Sequence, residues 1–150
     1  MHNDQTMRPV EILLVEDNPA DARLTMEGLK DAKIACNLST VADGDAAMDF
    51  LRHRDEHETA PSPDLVLLDL NLPGKDGRDV LKEIKGDDKL RMIPVVVLTS
   101  SEAETDLIKA YSEHANCFIS KPVDFEGFAA VIRSIENFWF TVVRLPPRPA

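Results

Sequence analysis

Short unbroken apolar runs alternate along this chain with segments whose apolar residues recur at helical spacing. Ile12-Leu13-Leu14-Val15, Leu65-Val66-Leu67-Leu68 and Val95-Val96-Val97-Leu98 are bounded by polar or turn-forming residues, the signature of strands buried on both faces. The first strand is expected over about Glu11 to Val15. Asn18-Pro19 then supplies an N-cap followed by proline at the first helical position, and a helix runs to about Asp31. Within it Ala22, Thr25, Met26 and Leu29 repeat as one buried face. A second strand, Leu38 to Val41, alternates apolar with polar and so belongs at a sheet edge. Helix two opens at Asp43-Gly44 with Ala47, Phe50 and Leu51 on a common face, and a long charged and Pro-containing connection, residues 52–63, leads to strand three, Leu65 to Asp69.

After the turn Gly74-Lys75-Asp76-Gly77, Val80, Leu81 and Ile84 mark helix three, and Pro94 to Leu98 mark strand four. Ala103, Leu107, Ala110 and Tyr111 mark helix four, and Cys117-Phe118-Ile119 form a short fifth strand. Asp124 caps helix five, with Phe125, Phe128, Ile132 and Ile135 as its inner stripe. Strict alternation of this kind predicts an α/β fold: a doubly wound, five-stranded parallel sheet with helices on both faces.

In such a sheet the carboxyl ends of the strands form the site. Glu16 and Asp17 follow the first strand, Asp69 ends the third, Thr99 and Ser100 follow the fourth, and Ser120 and Lys121 follow the fifth. Three carboxylates therefore converge at one mouth. Two unit charges about 4 Å apart repel by about 4 kcal/mol at an effective dielectric near 20, so the cluster calls for a cation, and Mg²⁺ is the natural hard ion for oxygen ligands. The backbone near Asn71 offers a carbonyl ligand. A carboxylate nucleophile, a hydroxyl and a fixed ammonium beside a metal suit phosphoryl transfer. Taken singly, Asp69 or Glu16-Asp17 reads as a helix cap, Thr99 as an N-cap and Lys121 as a surface lysine; their joint placement favours the site.

The 150 residues, 43% hydrophobic and 29% charged, make one ordinary domain. A net charge of −10 repels phosphate backbones and anionic lipid, which excludes nucleic acid and membrane surfaces as expected partners. The segment Met1 to Met7 carries neither a basic nor an apolar signal region, and a cytoplasmic location is expected. Cys36 and Cys117 read as reduced, packed thiols, and the pair His53 and His57 reads as part of a solvated helix end rather than a metal site.

Four motifs, in order, carry a resemblance: Val15-Glu16-Asp17-Asn18, Leu68-Asp69-Leu70-Asn71-Leu72-Pro73-Gly74-Lys75-Asp76-Gly77, Leu98-Thr99-Ser100 and Ser120-Lys121-Pro122. Over about Val10 to Phe138 the chain resembles the receiver domains of two-component response regulators. The resemblance implies a flavodoxin-like receiver domain over residues 10–138, between a flexible N-terminus, 1–9, and a short C-terminal aromatic tail, 139–150. It further implies that Asp69 accepts a phosphoryl group from the phosphohistidine of a histidine kinase. Asp17, Asp69 and the Asn71 carbonyl would bind Mg²⁺ with Glu16 ordering metal waters, and Thr99 and Lys121 would contact phosphoryl oxygens. A switch would couple Thr99 to Phe118, which lacks a tyrosine hydroxyl and would act by ring packing. Pro122 would follow a cis peptide bond, and Asn71 and Ser101 would tune the lifetime of the phosphoryl group.

With no DNA-binding motif after the receiver, the output would be protein binding through helix four, strand five and helix five. The chain's own chemistry would be limited to its own phosphorylation and dephosphorylation, so it is not expected to be an enzyme in the usual sense. The 52–63 extension and the tail are similar to single-domain regulators paired with bacterial phytochrome-type kinases. That likeness implies a phytochrome-type kinase as partner and a homodimer formed through Phe138, Trp139 and Phe140. Two alternatives compete. A haloacid-dehalogenase-type phosphatase requires an acid where Asn71 stands, and an adaptor that is never phosphorylated leaves the intact acid set without a purpose.

Overall fold

Alternate residues of the apolar runs face opposite sides of a single parallel sheet. A computed structural model describes residues 9–31, 35–70, 72–99 and 117–120. Its elements are β1 (Val10–Val15), α1 (Pro19–Asp31), β2 (Cys36–Val41), α2 (Gly44–Leu51), β3 (Leu65–Asp69), α3 (Gly77–Gly86), β4 (Val95–Thr99) and β5 (Cys117–Ser120). All strand pairs are parallel, in the order β2-β1-β3-β4-β5. Ile12, Leu14, Leu65, Leu67, Val96 and Leu98 pack on the face covered by Leu29 of α1. Leu13, Val15, Val66, Leu68, Val95 and Val97 pack on the other, against Phe50 and Leu51 of α2 and Val80, Leu81 and Ile84 of α3. This two-sided burial is why the central strands carry continuous apolar runs, whereas β2, at the edge, does not. Among the described residues, no helix is long and apolar enough to cross a membrane.

Strand limits follow the hydrogen-bond ladder rather than the apolar run. β1 and β2 start together at the pair Val10↔Cys36, two residues before the unbroken run Ile12 to Val15. Pro94 lies outside β4, having no N–H, though its carbonyl accepts from Val66 N at 3.0 Å.

Two local readings are corrected. Met26, placed by periodicity on the inner face of α1, is 43% exposed, while Thr25, Gly28 and Leu29 are buried. The packed stripe is rotated towards Gly28, leaving Met26 on its flank. The charged stretch after α2 is not a free solvated end. His53 and Asp55 adopt left-handed φ values of 55° and 54°, which stop the helix and fold the chain into a 3-10 turn, Asp55–His57. The His57 ring then sits 5.3 Å from that of Phe50, and Arg52 reaches α3. The helices expected around Ala103 to Tyr111 and around Phe125 to Ile135 lie outside the described residues.

Candidate phosphoryl and metal site

From β1 the chain moves outward to β2 and then returns to lay β3 on the opposite flank of β1. The loops leaving β1 and β3 therefore diverge, and a crevice opens between their carboxyl ends. Val15 pairs in register with Leu68, so the next residues on the two strands, Glu16 and Asp69, stand side by side. Glu16 N donates to Val41 O at 3.0 Å, which fixes the backbone at the turn out of β1. Carboxylate oxygens of Glu16, Asp17 and Asp69 all lie within 4.8 Å of one another. Glu16 and Asp69 are only 5% and 3% exposed, and Asp17 stands at the mouth.

The donor set fits a hard divalent cation. Octahedral Mg²⁺ with oxygens at about 2.1 Å brings its ligands to separations of about 3–4 Å, close to what these carboxylates span, and it offsets charge that burial would otherwise make costly. Capping does not account for the acids. The Asn18 side chain performs that task, accepting from Ala20 N at 2.9 Å and Asp21 N at 3.2 Å, while Glu16 Oε2 accepts from Asn18 N at 3.3 Å. The crevice continues into a cleft of about 640 Å³ between α1 and the end of β2, lined by Glu16, Asp17, Arg23, Met26, Thr40 and Val41.

Asp69 is held through its backbone. Leu70 N donates to Leu98 O and Gly77 N donates to Leu70 O, each at 3.2 Å, so the strand end is clasped between β4 and the start of α3. Only glycine fits at position 77, because a Cβ there would lie 2.6 Å from Leu70 Cα and press on the Asp69 carbonyl. Gly74, at φ +67°, turns the loop, and Asp76 caps α3 by accepting from Arg78 N at 2.8 Å.

The intervening Lys75 pairs with Glu83 of α3. Glu83 also accepts from Arg52 Nη1 at 3.0 Å, and Arg52 Nη2 contacts Asp87 at 3.3 Å. The hydrogen bond from Lys75, assisted by Arg52, holds the Glu83 carboxyl below its ordinary pKa against the opposing effect of burial. Sequence reasoning took 74–77 only as a turn and missed both this pairing and the packing of Gly77. A glycine at the start of a helix that follows a strand end was the one available signal for the latter; Arg52 and Glu83 are 31 positions apart, with no local signature.

Of the other residues singled out from the sequence, Thr99 ends β4 in register with Ser120 of β5, one step beyond the pair Asp69↔Leu98. Its backbone thus stands at the same edge as the acids. Phe118 lies within β5 opposite Val97. Asn71, Lys121, Pro122, Phe138, Trp139 and Phe140 lie outside the described residues.

Residues 12–133 match the model of the response regulator receiver domain family. The response regulator Rcp1 of Synechocystis sp. is 48% identical over 144 residues, covering 96% of this chain and 98% of that protein. Among solved structures, the phosphorylated cyanobacterial phytochrome response regulator RcpA is 46% identical with a TM-score of 0.76, covering 93% of this chain and 99% of that one. The Mn²⁺-bound form of Rcp1 is 49% identical with a TM-score of 0.75, covering 93% and 100%.

Proposed function

Because this chain belongs to the response regulator receiver domain family, we propose that it is a phosphoacceptor whose Asp69 takes a phosphoryl group from the phosphohistidine of a histidine kinase. The observation that carries the reading is the convergence of Glu16, Asp17 and Asp69 within 4.8 Å at the switch point of the sheet. A carboxylate oxygen of Asp69 attacks phosphorus as the P–N bond breaks. The electron pair of that bond stays on the imidazole nitrogen as a lone pair, and the ring leaves as neutral imidazole with its proton on the other nitrogen. Asp17, Asp69 and the Asn71 carbonyl would hold the cation, with Glu16 ordering its waters. When bound, Mg²⁺ supplies positive charge to the transferring oxygens.

Thr99 and Lys121 contact the remaining phosphoryl oxygens, and the pull on Thr99 is passed to Phe118 through ring packing. Phosphorylation thereby shifts a two-state equilibrium read by a protein partner. A phytochrome-type kinase is the favoured donor, on the strength of the relation to the phytochrome response regulator RcpA. The chain's own chemistry is confined to gain and loss of this phosphoryl group.

Intact-mass spectrometry after incubation with acetyl phosphate tests the reading. One phosphoryl adduct, dependent on Mg²⁺ and absent from Asp69→Asn, is expected; an adduct of equal yield in Asp69→Asn would overturn it.

A further inference from the structure

The ion network behind the β3–α3 loop is not used by the chemistry above, yet it ends on that loop. The two carboxylate oxygens of Glu83 serve different elements: Oε1 pairs with Lys75 of the loop, and Oε2 with Arg52 just beyond α2. Arg52 is itself forked between Glu83 and Asp87, and it heads the 52–63 excursion. The stem of Lys75 packs where α2 begins, since a Cβ on Gly44 would lie 2.9 Å from Lys75 Cβ and 2.8 Å from Val80 Cγ2. The loop is thus pinned on one side by Gly77 against the Asp69 and Leu70 backbone, and on the other by Lys75 to Glu83. Between those pins the chain has little freedom to move the backbone that carries the carboxylate of Asp69.

We infer that Glu83, through Lys75 and Arg52, is a positioning residue that sets the metal affinity and phosphoryl lifetime of the Asp69 site. The inference rests on the phosphoacceptor reading for its second readout only, because metal binding is measured without any phosphodonor. The network's side chains are each between 24% and 33% exposed, so its loss perturbs overall stability little while releasing the loop.

Glu83→Gln and Lys75→Gln test it, with Asp88→Asn, which removes the exposed pair to Arg91, as control. Mn²⁺ affinity is titrated calorimetrically on the full chain, and phosphoryl loss is followed by intact mass after acetyl phosphate is removed. Each network variant is expected to weaken Mn²⁺ binding and to alter the rate of phosphoryl loss by roughly threefold to tenfold, below the about 10–100-fold typical of groups that touch metal ligands directly. The double variant is expected to be no worse than Glu83→Gln alone, Glu83→Asp is expected to recover part of the loss, and the control is expected to match wild type. If Glu83→Gln fails to fold, Lys75→Gln, which leaves the Arg52 pair intact, carries the decision. Mn²⁺ affinity and phosphoryl lifetime equal to wild type in a folded network variant would overturn the inference. Failure of the wild type to accept phosphoryl would overturn the functional reading instead, leaving the Mn²⁺ arm to judge Glu83.

Discussion

Asp69 is buried at the end of β3, and carboxylate oxygens of Glu16 and Asp17 lie within 4.8 Å of its own. A bound divalent cation would offset the charge gathered there. Removing the Asp69 charge should do so in part, and Asp69→Asn is therefore expected to melt no lower than wild type in metal-free buffer, and to lose most of its Mg²⁺-induced rise in melting temperature. Differential scanning calorimetry with and without Mg²⁺ checks both; wild type should gain about 2.7 kcal/mol at a metal concentration a hundred times the dissociation constant. Asn18→Ala is expected to cost about 1 kcal/mol in urea denaturation, because its side chain satisfies two amides at the start of α1. The acids were legible in the sequence because each ends or follows an apolar run, and strand ends are where parallel sheets gather their polar groups. Met26 was misplaced because helical spacing gives a stripe but not its rotation against the sheet. Glu83 was not legible at all, since its meaning depends on residues brought near only by the packing of α2 on α3.

At the scale of elements, the start of α3 is pressed against the end of β3. Gly77→Ala is expected to destabilise by about 1–3 kcal/mol or more, as its methyl group meets backbone that has nowhere to move. Chemical denaturation would register this, and a variant as stable as wild type would contradict the close approach. The Glu83 network ties α3 to the loop before it and to Arg52 just beyond α2, and it adds a pH dependence. Its carboxyl lies below its ordinary 4.5 in the folded protein, so its contribution is fully present above that value and fades as pH falls through the folded pKa. Glu83→Gln is accordingly expected to be less stable than wild type by about 0.5 kcal/mol at neutral pH, after allowance for solvent screening, and to equal it well below pH 4.5. Strand identities were plain from the apolar runs. The fold-back after α2 was not, because it depends on left-handed backbone at His53 and Asp55, neither of which is glycine.

For the whole molecule, the strand order fixes where chemistry can occur and which surfaces remain for partners. Alternation along the chain predicted the parallel sheet, but the crevice between β1 and β3 exists only because the winding reverses there. Three of the carboxylates behind the net charge of −10 lie at that crevice, where a bound cation would offset them in part. Self-association through Phe138, Trp139 and Phe140 is proposed from the sequence. Light scattering is expected to show a dimer that a chain ending at residue 137 does not form, and an unchanged mass would remove the tail from the interface. The central claim is that Asp69 is the phosphoryl acceptor, and chemical trapping tests it most directly. Borohydride reduction of the phosphorylated protein, followed by peptide sequencing in the mass spectrometer, is expected to find homoserine at position 69. Homoserine at another acidic position, with position 69 still aspartate, would contradict it.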